Sequence, residues 1–284
     1  MSSSVAERGA SSPPYGGWRS KLSPGVVVGG AIVAFWLLCA AFGTMITPYD
    51  PVAVSVMERL KPPSLLHPFG TDKLGRDVLS RLMAGSRSIV QISLLATLIA
   101  IVAGTTFGLI TGYFRGVLSE ILMRIFEAIL AVPVVLLAMV TIVAVGASSF
   151  TVLIVIGIVF VPVVARTVRA AVLAERNRAY VQAALLRSEG TAYILVCEIL
   201  PNITGTIVVE ATVRLGYAIF ATATLSFLGM GVQPPTPDWG LSIYESYGLI
   251  SGGFWWPVLF PALAIASLVL SINLIAEKVV SNDR

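Results

Sequence analysis

Residues Tyr180 to Asn202 read YVQAALLRSEGTAYILVCEILPN. The stretch is helix-forming and polar-faced, yet it is wedged between long apolar runs. Arg166, Arg169, Arg176, Arg178 and Arg187 crowd into it and its approach. Ala179, Ala183 and Ala184 form a small-residue face on a first helix. Ser188-Glu189-Gly190 breaks that helix, and a second runs from about Thr191 to Leu200, where Pro201 ends it. The spacing predicts a short helix–turn–helix lying across one membrane face. Small side chains let a partner's surface approach closely, and arginines can pair with its carboxylates. On these residues alone the alternative is an ordinary amphipathic interfacial loop.

Working outward, composition sets the class. The chain has 284 residues, 56% hydrophobic and only 12% charged, with mean hydropathy +0.89. Soluble domains carry about 25% charged residues, so this is an integral membrane protein. The net charge of +4 reflects topology rather than nucleic-acid binding, and no nucleic-acid partner is expected. Met1–Ser23 is rich in Ser, Gly and Pro and is expected to be a disordered tail. Six apolar runs follow: Val26–Ile46, Ile89–Thr111, Ile125–Val145, Phe150–Ala165, Ile203–Phe227 and Phe254–Ala276. Each is near the roughly 20 residues a bilayer demands. The first is too long for a signal peptide and is read as a retained helix.

Basic residues orient these runs. With the N-terminus inside, the inner segments hold 12 of the 19 Lys and Arg. Six more lie in one long outer loop, where they count for less. Both termini and the helix–turn–helix are therefore assigned to the cytoplasm, with the chain crossing its membrane several times. The outer loop Thr47–Ser88 begins with turn-rich TPYDP and KPPSLLHPFG. Asp72–Ala84, DKLGRDVLSRLMA, reads as a separate amphipathic helix lying on the membrane or covering the bundle's outer end. Pro133 and Pro162 interrupt two apolar runs and predict kinks. Gly104, Gly108 and Gly112 predict a close helix contact.

Catalytic signatures are missing. GxxxxGK[ST], GxSxG and HExxH do not occur in the sequence, so nucleotide energy must come from another chain. His67 is the only histidine, and no metal site is expected. Cys39 and Cys197 fall at different depths and are not expected to pair. Glu210 and Arg214 lie four residues apart within the fifth apolar run, on one helix face with the acid first. Intramembrane charges are costly. The pair reads either as a structural link between helices or as part of a pathway or gate.

The quoted stretch resembles the EAA loop of permease subunits of ATP-binding-cassette importers: EAA, then Gly, then an apolar helix ending in LP. Gln182-Ala183-Ala184 stands where EAA is usual, Ser188 where Gly is usual, and Ile199-Leu200-Pro201-Asn202 matches the end. His67–Asp72 with LGRDVLSRL, and Leu225–Gly240, LSFLGMGVQPPTPDWG, resemble segments of the dipeptide/oligopeptide/nickel permease family, C-type subunit. Thr222 stands where that family often has an acid.

The resemblance implies an all-α, six-helix type I importer fold over residues 24–284, with an external loop 47–88 and a cytoplasmic coupling loop 166–202. It implies a second permease subunit as heterodimer partner and two cytoplasmic ATPase domains that bind ATP and Mg. It also implies an external substrate-binding protein and peptides as cargo; the chain itself carries no cofactor and no catalytic residue. Gln182, Ala183, Ala184, Arg187, Ser188, Glu189, Gly190, Leu200 and Pro201 are the implied coupling residues. Asp238, Trp239 and Tyr244 are candidate contacts for the binding protein. Phe254-Trp255-Trp256 reads as an interfacial aromatic belt. The rival classes are a secondary transporter, which would often show repeated halves, and a non-transporting scaffold.

Overall fold

A computed structural model describes residues 24–282. The expected N-terminal tail lies outside the described residues. Helices make up nearly all of the rest: α1 (Pro24–Ile46), α2 (Val78–Tyr113), α3 (Val117–Leu130), α4 (Val134–Val145) and α5 (Ser149–Glu175). They are followed by α6 (Ala179–Leu186), α7 (Thr191–Asn202), α8 (Thr204–Phe227), α9 (Trp239–Ser246) and α10 (Trp256–Asn282). Helices α1, α2, α5, α8 and α10 are long and apolar enough to cross a membrane. α3 and α4 form a sixth span broken by a 90° bend. Pro133 caps α4 at that bend, because it can neither donate a backbone hydrogen bond nor let its predecessor stay helical. Pro162, in contrast, stays inside α5.

The Asp72–Ala84 segment is not a separate surface helix. Residues 72–77 form a tight turn, and Val78 starts a single 36-residue α2. At 1.5 Å per residue α2 is about 54 Å long, so it outreaches a hydrocarbon core of about 30 Å. Asp77 starts it: its carboxylate accepts from the Ser80 N–H at 2.8 Å and from the Ser80 hydroxyl at 2.7 Å. An Asp in that place satisfies donors the first turn leaves free. The fourth span is also longer than its apolar run. α5 continues through Arg166 and Arg169 to Glu175, so the coupling loop begins a full helical stretch later than 166.

α2 and α5 pack along most of their lengths. Gly104, Gly108 and Gly112 face Val164, Val168 and Val172 so closely that an added Cβ would sit 2.5, 2.6 and 2.8 Å from the valine side chains. The small-residue stripe thus sets the approach of these two helices. The main core lies between α2, α4, α5, α6, α7 and α8. A second core, built on Trp36, Ile89, Ile219, Trp239 and Leu268, joins α1, α2, α8, α9 and α10.

Candidate functional site

At the end of the bundle where α5 stops, the chain turns into a hairpin of α6 and α7. Its seating is apolar: Val181, Ala184, Ile194 and Ile199 are buried in the main core. Arg176 fixes the approach by donating from Nη1 to the Tyr113 carbonyl at 2.9 Å, which ties the end of α5 to the end of α2. The Tyr180 hydroxyl donates to Glu175 Oε2 at 2.9 Å. Burial, and then the Glu175 carboxylate, push that phenol up to about 12. It keeps its proton and its donor role at any physiological pH.

The turn carries the hairpin's one positive φ. Ser188 has φ +61°, a left-handed conformation that costs an L-residue roughly 1–2 kcal/mol. Glycine would take it freely. Gly190 has φ −68° and open space about its Cα, so its backbone does not require glycine. Arg187 spans the turn, reaching Glu198 Oε1 at 3.1 Å and Glu189 Oε1 at 3.5 Å. It staples α6 to α7, while Arg178 pairs with Glu175 at 3.6 Å. The arginines expected to seek carboxylates on a partner are thus partly engaged within the chain.

Two expectations for the hairpin change. The exposed side is more apolar than polar: Leu185, Leu186, Tyr193 and Val196 all face outward, with Leu186 88% exposed. Gln182 and Ala183 lie on that surface, but Ala184 is fully buried. The helix also does not end at Pro201. α7 winds through Ile194–Ile199 with the wider turns of a π-helix and continues through Leu200, Pro201 and Asn202. The break comes at Ile203, with φ −107° and ψ 6°.

Deeper in the bundle, Arg214 Nε lies 2.8 Å from Glu210 Oε1 on α8. The guanidinium sits 4.8 Å from the Tyr217 ring centroid and 5.9 Å from that of Phe160 on α5.

At the other end, the long loop and α9 form a cap. Arg76 Nε meets Asp72 Oδ2 at 2.6 Å, and its Nη2 meets Glu245 Oε2 at 2.6 Å. Arg81, also buried, donates to the Pro51 carbonyl at 3.1 Å. His67 Nδ1 lies 2.9 Å from Asp77 Oδ1. Asp238 and Trp239, taken from the sequence as contacts for a binding protein, lie inside this cap instead. Trp239 donates from Nε1 to the Leu82 carbonyl at 2.7 Å. Asp238 caps α9 through the Leu241 N–H at 2.9 Å. Burial pushes its carboxyl up to about 6, against the opposing pull of the Leu241 N–H. Trp256 likewise faces inward and donates to the Thr71 carbonyl at 3.0 Å. Only Tyr244 of the three candidate contacts remains exposed.

Five apolar spans, a bent sixth and a helical hairpin at one end define a polytopic membrane protein with an importer-permease fold. The methionine transporter MetNI, solved in inward-facing conformations, has a chain that superposes with TM-score 0.59 at 19% identity. The match covers 71% of this chain and 95% of that one. Residues 104–281 match the family described as binding-protein-dependent transport system inner membrane components. Residues 18–63 match the N-terminal transmembrane domain of oligopeptide transport permease C. The di/tripeptide transport system permease protein DppC of Pseudomonas aeruginosa is 37% identical over 92% of this chain and 88% of its own. DppC of Alkalihalophilus pseudofirmus is also 37% identical, over 88% and 82%. The probable D,D-dipeptide permease DdpC of Escherichia coli is 34% identical over 92% and 87%. The chain therefore belongs to the family of binding-protein-dependent transport system inner membrane components, as a permease subunit of the C type.

Proposed function

We propose that this chain forms half of the translocation pathway of an ATP-driven peptide importer, beside a second permease subunit. The single observation that carries the coupling is the α6–α7 hairpin. It is seated on the core by Val181, Ala184, Ile194 and Ile199, while Gln182, Ala183 and Leu186 are left uncovered. A face that is held from behind and apolar in front can transmit displacement to the bundle. Two cytoplasmic ATPase domains, which bind ATP and Mg, dock there; the hydrolysis is theirs. Arg187, Ser188, Glu189 and Gly190 shape the turn, and Leu200 and Pro201 carry motion into α8. Glu210 and Arg214 lie on the pathway. An external binding protein delivers peptide to the cap, with Tyr244 among the exposed contacts. This orientation places both termini in the cytoplasm.

The test is co-purification and coupling. Tagged chain should bring down ATPase subunits and a second permease, and Leu186→Asp should cut binding-protein-stimulated ATP hydrolysis at least tenfold without lowering chain abundance. Tagged chain that never retains a nucleotide-binding subunit would return the reading to a secondary transporter or a scaffold.

A further inference from the structure

The Glu210–Arg214 pair is not explained by stability. Arg214 is ten residues beyond Thr204, about 15 Å along α8, inside a helix long and apolar enough to cross a membrane. Each charge there costs roughly 2.5–3.5 kcal/mol to insert. A well-packed apolar pair of similar volume is often as stable as a buried ion pair or more so. The pair is also incompletely made. Arg214 Nε and Glu210 Oε1 are 2.8 Å apart, yet both are buried without an aligned hydrogen bond. Among the described residues the guanidinium takes no other ion-pair partner, and the rings of Tyr217 and Phe160 lie beside it. It is held in place by stacking, and its donors are left for something else.

The surroundings indicate what that is. A 3.6-residue period puts Glu210, Arg214, Tyr217, Phe220 and Phe227 within one broad arc of α8. Tyr217 and Phe220 are exposed. Phe227 meets Tyr247 edge-on at 6.2 Å, and Tyr247 lies 6.4 Å from Tyr244. Aromatic side chains are thus spaced along α8 from the cap to the ion pair. A strip that ends on one acid and one base matches a ligand that carries one cation and one anion. Cβ atoms at i and i+4 are about 5–6 Å apart, and an extended dipeptide spans at most about 7 Å.

We propose that Glu210 and Arg214 are a two-point site for the free termini of a passing peptide. The α-ammonium group replaces the guanidinium at Glu210, and the α-carboxylate replaces Glu210 at Arg214. The pair is neutral and so is the zwitterion, so the exchange adds no net charge to the membrane interior. The pair opens for a zwitterion and recloses behind it. This specificity role rests on the peptide-import reading above.

The experiment uses the whole importer, purified with its partners and reconstituted in vesicles with its binding protein and ATP. Uptake of alanyl-alanine and of its C-terminal amide is compared, each at a concentration that saturates the binding protein. Wild type should move the free acid at least tenfold faster than the amide. Glu210→Gln/Arg214→Gln, an uncharged pair that can still hydrogen-bond, should lose at least tenfold of free-acid uptake. It should carry the two peptides within twofold of each other. A wild-type complex that moves both peptides equally overturns the proposal, whatever the variant does. A double variant that keeps wild-type rate and preference also overturns it and leaves the pair as a staple. A wild-type complex that moves neither peptide instead sinks the import reading itself.

Discussion

The two ends of the bundle handle charge in opposite ways. In the cap, the buried Asp72, Arg76 and Arg81 pair with one another, with Glu245 and with the Pro51 carbonyl, while the buried Asp77 is held by His67 and Ser80. In the hairpin, Arg187 is half-exposed and pairs across a turn at the surface. Both ends also expose apolar side chains, but only the cap buries tryptophans. The cap turns Trp239 and Trp256 inward and spends their N–H groups on Leu82 and Thr71, while its loop leaves Met57 and Leu65 outward; the hairpin turns Leu186 outward. The buried charges of the cap are therefore paired within its own chain. The charges of the hairpin lie at its surface, on the face proposed above to meet the ATPase domains.

Substituting one arginine at each end gives the largest contrast. Arg76→Ala strands Asp72 and Glu245 in a buried site, and breaking such a pair costs roughly 3–5 kcal/mol. Arg187→Ala removes a solvent-screened pair worth about 1 kcal/mol or less. Thermal unfolding of the detergent-solubilised protein should show a marked drop for the first and little change for the second. Equal effects would dissolve the distinction between the two ends.

Proton linkage sharpens the contrast from the cap side. The Asp238 carboxyl holds its proton to about pH 6 in the fold, against 3.8 for the free group. The folded state therefore binds more protons than the unfolded one across that window. The stability owed to the neutral carboxyl is complete below about pH 4 and is lost as pH rises through 6. The full swing is about 3 kcal/mol at most. Asp238→Asn keeps the Leu241 N–H acceptor and does not titrate. Its melting temperature should pull ahead of wild type between pH 4 and 7, and a constant gap across that range would refute burial as the cause.

How much of this was legible follows from range. The apolar spans and the α2–α5 glycine stripe were readable because each is a local pattern that a bilayer or a close helix contact imposes. The hairpin was readable because polar and small residues interrupt apolar runs. The cap was misread because its logic is long-range. Asp72–Ala84 looks like an amphipathic surface helix until Glu245, 169 residues beyond Arg76, gives that arginine a buried partner. Trp239 looks like a surface aromatic until Leu82 accepts its N–H. Leu186 is hard to read for the opposite reason. An apolar residue in a short helix reads as inward-facing, and only the seating of Val181 and Ala184 shows that it points out. Exposed apolar side chains of that kind are where a partner surface is expected.

Neighbouring alanines separate seating from docking within the hairpin. Ala184 is fully buried and Ala183 is exposed. Ala184→Trp overfills the core and should cost roughly 1–3 kcal/mol or more, seen as lower chain abundance in the membrane. Ala183→Trp should leave abundance unchanged and abolish substrate-stimulated ATP hydrolysis by blocking close approach. If both variants lose abundance alike, the hairpin has no free face and the docking reading falls.

The smallest expected effect lies at Ser188. Its φ of +61° is imposed by the hairpin closing on itself: the Glu189 N–H reaches back to the Ala184 carbonyl at 3.2 Å, and the Ser188 N–H to the Leu185 carbonyl at 2.9 Å. A serine there carries left-handed strain, but glycine would also gain freedom in the unfolded chain, so the two effects partly cancel. The net gain from Ser188→Gly should be about 1 kcal/mol or less. It should appear as slower hydrogen exchange across α6 and α7, with no change at the cap. Gly190→Ala should be nearly neutral, because its φ is ordinary and its surroundings are open. If Gly190→Ala instead loosened the hairpin while Ser188→Gly did nothing, the strained residue would be Gly190, and the turn would have to close differently in the assembled transporter. A stiffer turn in Ser188→Gly should also pass displacement to α8 with less loss. Peptide moved per ATP hydrolysed should therefore hold or rise slightly, whereas a fall would mean that the hairpin needs compliance at Ser188 to work.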